Sequence, residues 1–235
     1  MRERFSAKVR GRFNALKRSG VKRVKDDSLT ESDKTGALFV AYFFPWFDRE
    51  SKEIVIGDNG WYKSFVNQAA LAGIARTDLY IKAIGNENGA ALTTPRPEDI
   101  RDIESYYERF AEGLGVILAA LTIEARTALL KAIQEQQDVA AALADRIDKI
   151  GRTRGEVLAR TETISIFNDA ALTRMEMLGI LYVTAQLEYE FVTAGDERVC
   201  PICAALDGKI YAIAQARGVI PLHPRCRCSW VPVWL

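Results

Sequence analysis

The residues able to do chemistry crowd one end of this sequence. All four cysteines, Cys200, Cys203, Cys226 and Cys228, and the only histidine, His223, fall between positions 200 and 228. They read Cys200-Pro-Ile-Cys203, then Asp207-Gly208, then His223-Pro-Arg-Cys226-Arg-Cys228. A C-x2-C step lets two thiolates reach one ion across a tight turn, and His223 with Cys226 repeats that step. Two such pairs on facing turns supply the tetrahedral nitrogen and sulfur set that zinc prefers. Five donors compete for four places. The first choice is Cys200, Cys203, His223 and Cys226, with Cys228 as spare or substitute. The competing arrangement is two disulfides, or four reduced thiols packed near helices. Clustering in a reducing cell favours metal, and the histidine has no place in a disulfide scheme.

Such a site is expected to be structural, because four protein ligands leave no position for water. A zinc deaminase needs H-x-E ahead of P-C-x-x-C; here proline follows Cys200 and no histidine precedes it. A histidine-based nuclease would spend the sole histidine on the metal or on the base, not on both. A tail this short lacks the area for a core of its own, and a bound zinc contributes on the order of 10 kcal/mol to folding such a module.

The elements around these residues follow from periodicity. Tyr189, Phe191 and Thr193 alternate with Glu188 and Glu190, which predicts a half-buried strand. Asp207-Gly208 suits a hairpin turn, so Lys209 to Ile213 can pair back on that strand. Ser229 to Trp234 supplies a third strand, which Pro232 confines to an edge. Upstream the period becomes helical. Thr153-x-x-Glu156 reads as a capping box, opening a helix through Val157, Ile164, Ala171, Met175 and Leu178 to near Gly179. After Pro97, Ile100, Ile103, Tyr107, Phe110, Leu114, Ile117 and Leu121 form an a/d stripe, with Gly113 and Gly115 allowing a close neighbour. Residues 122–137 and 139–150 continue in helical register, and 61–84 suits another helix. The fold class is therefore mainly α: a helical body with a small C-terminal antiparallel β, Cys/His metal-knuckle-like module.

The 235 residues carry a formal charge of +1 and ordinary globular composition. That total hides an asymmetry. Arg2, Arg4, Lys8, Arg10, Arg12, Lys17, Arg18, Lys22, Arg23 and Lys25 crowd the N-terminus against Glu3 alone. Such an arm suits DNA or an acidic partner surface. Phe5, Val9, Phe13 and Leu16 give it an amphipathic helical spacing, although charge runs are also often solvated tails. Residues 26–36 read as a linker. The longest apolar stretch, Ala37 to Phe47, is too short to span a bilayer and contains Pro45. Its aromatics serve as ordinary core or as a docking surface. No secretory signal and no membrane span are expected.

The ordered motifs Arg160-Thr161-Glu162-Thr163, Thr193-Ala-Gly-Asp196-Glu-Arg-Val-Cys200-Pro-Ile-Cys203, Leu206-Asp-Gly208 and Pro221-Leu-His223-Pro-Arg-Cys226-Arg-Cys228 resemble the phage Mu F-like head morphogenesis family. The resemblance covers roughly residues 150–235. With the charge pattern and the helical periodicity upstream, the chain divides into a basic arm and linker (1–36), a helical body (37–150) and an F-like C-terminal domain (151–235). The resemblance implies a minor head protein of the capsid, associated with the portal vertex, with a structural role in head morphogenesis and in DNA packaging or ejection. Implied partners are portal protein, major capsid protein and packaged DNA, in a multi-copy virion assembly. The implied location is the capsid interior near the portal, and the host cytoplasm during assembly. Arg160, Thr161, Glu162 and Asp196 belong to the family motif. Their structural reading pairs Arg160 or Glu162 with Asp196 or Arg198. The alternative makes Glu162 the catalytic carboxylate of a nuclease or toxin-like transferase.

Overall fold

The computed structural model describes residues 2–26, 37–57, 60–83, 95–181 and 187–234. Most of the linker read over 26–36 and the Asp58-Asn59 turn lie outside them. The chain divides into two compact units that interleave in sequence: residues 2–61 with 108–159, and residues 62–107 with 160–235.

In the unit of residues 2–61 and 108–159, the basic segment is a packed helix, α1 (Arg2–Asp26). Phe5, Val9, Phe13 and Leu16 are fully buried on its inner face. α2 (Ala37–Ser51) carries the aromatic cluster. Phe43, Phe44 and Phe47 are buried, with the Phe43 and Phe47 rings stacked at 5.5 Å. Core is thus the main role of the described aromatics, while Tyr42 stays 73% exposed. The long α4 (Ile103–Gln134) buries Phe110, Leu114, Leu121, Ala125 and Leu129 along the stripe that its spacing demands. It is also long and apolar enough to cross a membrane, by length and composition alone. Gly113 approaches Leu158 closely, whereas Gly115 faces open space.

α5 (Val139–Ile150) is capped by Asp138, whose side chain accepts from the Ala141 N–H at 3.0 Å. It does not stop at Ile150. A π-helical turn, Gly151–Gly155, carries it directly into α6 (Glu156–Leu181). The capping box expected at Thr153 and Glu156 is therefore not formed. A capping box needs the free N–H groups of a helix start, and here the helical run is unbroken. Thr153 instead donates to the Lys149 carbonyl, and Glu156 is buried against Arg10 at 2.6 Å.

Glycine at the start of the π turn has a steric reason. A Cβ on Gly151 would stand 2.5 Å from Phe13 Cβ, so only glycine lets α1 come this close.

In the unit of residues 62–107 and 160–235, α3 (Lys63–Ala83) packs on α6. Gly73 makes that approach possible, because its Cβ would lie 2.1 Å from the Phe167 carbonyl oxygen. Arg174 of α6 clamps Asp78 of α3 with two hydrogen bonds of 2.8 and 3.2 Å, both side chains largely buried. After α6 come β1 (Leu187–Val192), the short helix α7 (Pro201–Ala204), β2 (Ile210–Tyr211), the short helix α8 (Ile213–Ala216) and β3 (Ser229–Trp234). The strands form one antiparallel sheet in the order β2-β1-β3, so β3 with Pro232 is an edge, as expected. Phe191 pairs with Trp230 across β1 and β3, their rings edge to face at 5.6 Å.

Gly151→Ala is expected to destabilise the protein by about 1–3 kcal/mol in chemical denaturation, through overpacking against Phe13. Gly11→Ala, in open space on the same α1, should instead stabilise it by about 0.5–1 kcal/mol.

Candidate metal centre

The turns that carry the donors are closed by their own backbone. Cys200 caps α7: its Sγ accepts from the Cys203 N–H at 3.4 Å, and Pro201 fills the first turn, where a missing N–H costs nothing. The His223–Cys226 turn is closed by the Cys226 N–H donating to the His223 carbonyl at 3.1 Å. Between them, Asp207 accepts from the Thr193 N–H at 2.7 Å, and the Gly208 N–H donates to the Phe191 carbonyl at 2.9 Å. That loop returns the chain to β2.

All five donors converge. His223 Nε2 lies 3.2 Å from Sγ of both Cys200 and Cys203. Cys203 Sγ also groups with those of Cys226 and Cys228, and within each trio the donor atoms lie within 4.8 Å of one another. A tetrahedral zinc would hold its sulfur and nitrogen donors roughly 3.5–3.8 Å apart. The donor set fits such an ion. Cys203 stands in both trios, so it belongs to every compact choice of four; Cys226 and Cys228 each stand beside it as the fourth ligand.

The imidazole is set up for this role. Its Nδ1 lies 2.8 Å from the Pro224 carbonyl oxygen, a partner that accepts a hydrogen bond from Nδ1–H in the tautomer whose Nε2 lone pair faces the thiols. A cavity of about 20 Å³, room for one ion or water, opens beside Cys200, Cys203, His223 and Cys228.

The thiols themselves are free. The Cys203 N–H draws the Cys200 thiol below its usual pKa. Burial pushes Cys203 strongly up, and burial pushes Cys228 up to about 11. Buried, crowded thiols resist ionisation on their own, and a dication reverses that preference.

One face of α6 holds the donor turns in place. Asn168, almost fully buried, receives the Trp230 N–H at 3.1 Å and donates to the Cys228 carbonyl at 3.2 Å. Two turns earlier, Thr161 Oγ1 accepts from the Arg225 N–H at 3.1 Å. Ala171, Leu172 and Met175 on the same helix share one apolar core with Tyr189, Phe191, Cys203, Cys226, Cys228 and Trp230. Asp196 grips the other side through a bidentate pair with Arg227, between Cys226 and Cys228, and a second contact to Arg198 at 3.3 Å. The hydrogen bonds from Arg227 hold its carboxyl well below the usual carboxylate range. Asp196 is thus paired with Arg227 and Arg198. Glu162 lies half-buried on α6 and is in neither donor trio.

Residues 124–231 match the family model described as phage Mu protein F like protein. This stretch is a phage Mu F-like region. It begins before the cysteine motifs, in the second half of α4, so α5 and α6 belong to it with the donor turns. The family is of a structural phage head type and points to head morphogenesis. No curated protein and no solved structure matches the chain.

Outside the F-like region, the basic residues of α1 divide into two sets. Arg10 pairs with Glu156 and Lys17 with Asp148. Arg12 donates to the Ile54 carbonyl and lies over the Trp61 ring, and Arg23 lies over Trp46. Arg4, Lys8, Arg18, Lys22 and Lys25 are exposed, with no charged partner among the described residues. The side chain of Arg2 lies outside the described residues.

Asn168 escaped sequence reasoning, since an isolated asparagine in a helix signals nothing by itself. Its spacing of seven from Thr161, which puts both on one helical face, is the clue that links it to the motif. Asn168→Ala is expected to cost about 2–3 kcal/mol in denaturation, because it leaves a buried N–H and a buried carbonyl without partners.

Proposed function

We propose that this is a structural minor head protein whose F-like region is braced by one zinc ion, and that it works at the portal vertex during head morphogenesis. The observation that carries the metal is the gathering of four thiols and one imidazole into two trios that share Cys203. The ion cross-links the loop after β1 to the loop before β3, and Asn168 and Thr161 fix those loops to α6. No catalytic role is assigned. The family type supports a structural reading, and the donor set closes around the ion.

Portal protein is the proposed main partner, with major capsid protein as a neighbour, in the capsid interior near the portal and in host cytoplasm during assembly. Association with DNA packaging or ejection would fall to α1. Its outward cations Arg4, Lys8, Arg18, Lys22 and Lys25 repeat along one helical face, opposite the buried Phe5, Val9, Phe13 and Leu16. Five such contacts to phosphates give a dependence of log affinity on log salt of about −4.5 for duplex DNA.

Purified protein is expected to hold one zinc per chain. Removal by a chelator should lower its melting temperature, and Cys203→Ser should abolish stoichiometric metal. Metal retention should fall with acidification, as thiols and imidazole take up protons. Four freely reactive thiols in metal-free protein of undiminished stability would refute the brace. For the partner role, tagged protein should retain portal protein from infected cells, and heads assembled without it should be defective. Binding to duplex DNA that keeps its salt slope after Arg18→Gln and Lys22→Gln would remove α1 as the DNA contact.

A further inference from the structure

The outer face of α4 carries a second stripe, opposite its buried one. Glu108, Glu112, Val116, Ala119, Ile123 and Arg126 recur at steps of three and four, and all six are exposed. Val116 and Ile123 are 71% and 68% exposed. Glu108, Glu112 and Arg126 have no charged partner among the described residues.

Charge along this stripe is ordered. Glu112 stands seven residues before Ala119 and Arg126 seven after, while Val116 and Ile123 flank it. A two-fold axis beside Ala119 therefore brings Glu112 of one copy opposite Arg126 of the other, twice, with Val116 against Ile123 between them. A parallel pairing would instead face Glu112 with Glu112. Small residues at the centre permit close approach: Ala119 is compact, and even a Cβ on Gly115 would meet nothing within 4 Å. The steps of three and four are those of helices that pack along their length.

We propose that two copies of this chain associate through antiparallel pairing of α4, centred on Ala119. The contact is isologous, so each favourable pair occurs twice. It stands independently of the metal brace and of the portal role. One pair of helices buries less than a standard interface, which sets the expected affinity in the micromolar range rather than the nanomolar.

Sedimentation equilibrium of the full metal-loaded chain tests this. A monomer–dimer equilibrium is expected, weakened about tenfold or more by either Glu112→Arg or Arg126→Glu, since each sets like charges face to face. The double variant Glu112→Arg/Arg126→Glu should restore the dimer, because the swap re-creates both pairs. These positions are exposed, and unchanged circular dichroism melts would separate lost association from lost folding. A chain that stays monomeric to several hundred micromolar overturns the proposal. So does a dimer that neither single variant weakens. Flotation with phosphatidylcholine vesicles that Ile123→Asp abolishes, in a chain that forms no dimer, would assign the face to lipid and overturn it equally.

Discussion

Cysteine sulfur is buried in this protein where aliphatic carbon would ordinarily sit. Cys203, Cys226 and Cys228 share one apolar core with Phe191, Trp230 and the inner face of α6, and the small sheet rests on that core. Burial first, and then the crowding of neighbouring thiols, push Cys203 and Cys228 toward their neutral forms. The core can keep them protonated, or it can collect them around a cation that takes their charge. His223, with Nδ1 against the Pro224 carbonyl and Nε2 between Cys200 and Cys203, supports the second course. α7 presents one thiol pair, the His223–Cys226 turn presents the other donors, and Asp196 ties the two loops through Arg227.

α6 is the rigid element on which this depends. A three-stranded sheet with one strand of two residues has little independent stability. Asn168 and Thr161 attach its loops through backbone groups, so the attachment survives changes of side chain in the loops themselves. Further along α6, Arg174 and Asp78 lock it to α3, and Gly73 lets the two backbones meet. In the other unit a comparable constraint acts on α1. Its inner face packs closely on Gly151, in the π turn of the α5–α6 run, and two of its cations, Arg10 and Lys17, neutralise carboxylates there. Its remaining outward cations are what the proposed DNA contact uses.

Much of this was legible because it repeats. The stripe from Ile103 to Leu121, the buried row Phe5, Val9, Phe13 and Leu16, and the alternation through Tyr189 and Phe191 each carry a period that fixes an element. The C-x2-C and H-x2-C steps picked out side chains that the fold brings together in two trios, because metal geometry limits such spacing directly. Single residues with tertiary roles were not legible. Thr153 and Glu156 have the identities of a helix start yet lie inside an unbroken helical run. Asn168 looks like any helical asparagine until β3 is placed over it. The pairing of Asp196 with Arg227 joins positions whose closeness depends on the folded loops. Nor does local periodicity reveal which segments pack together, so the interleaving of the two units has no signature in the chain.

The central claim is that the buried thiols and His223 hold one ion as a closed tetrahedral site. X-ray absorption at the zinc edge of the purified full-length protein tests it most directly. The account predicts a first shell of three sulfurs at about 2.3 Å and one nitrogen at about 2.0 Å, with no oxygen ligand. A shell containing water or carboxylate oxygen, or sulfur with no imidazole contribution, would contradict it.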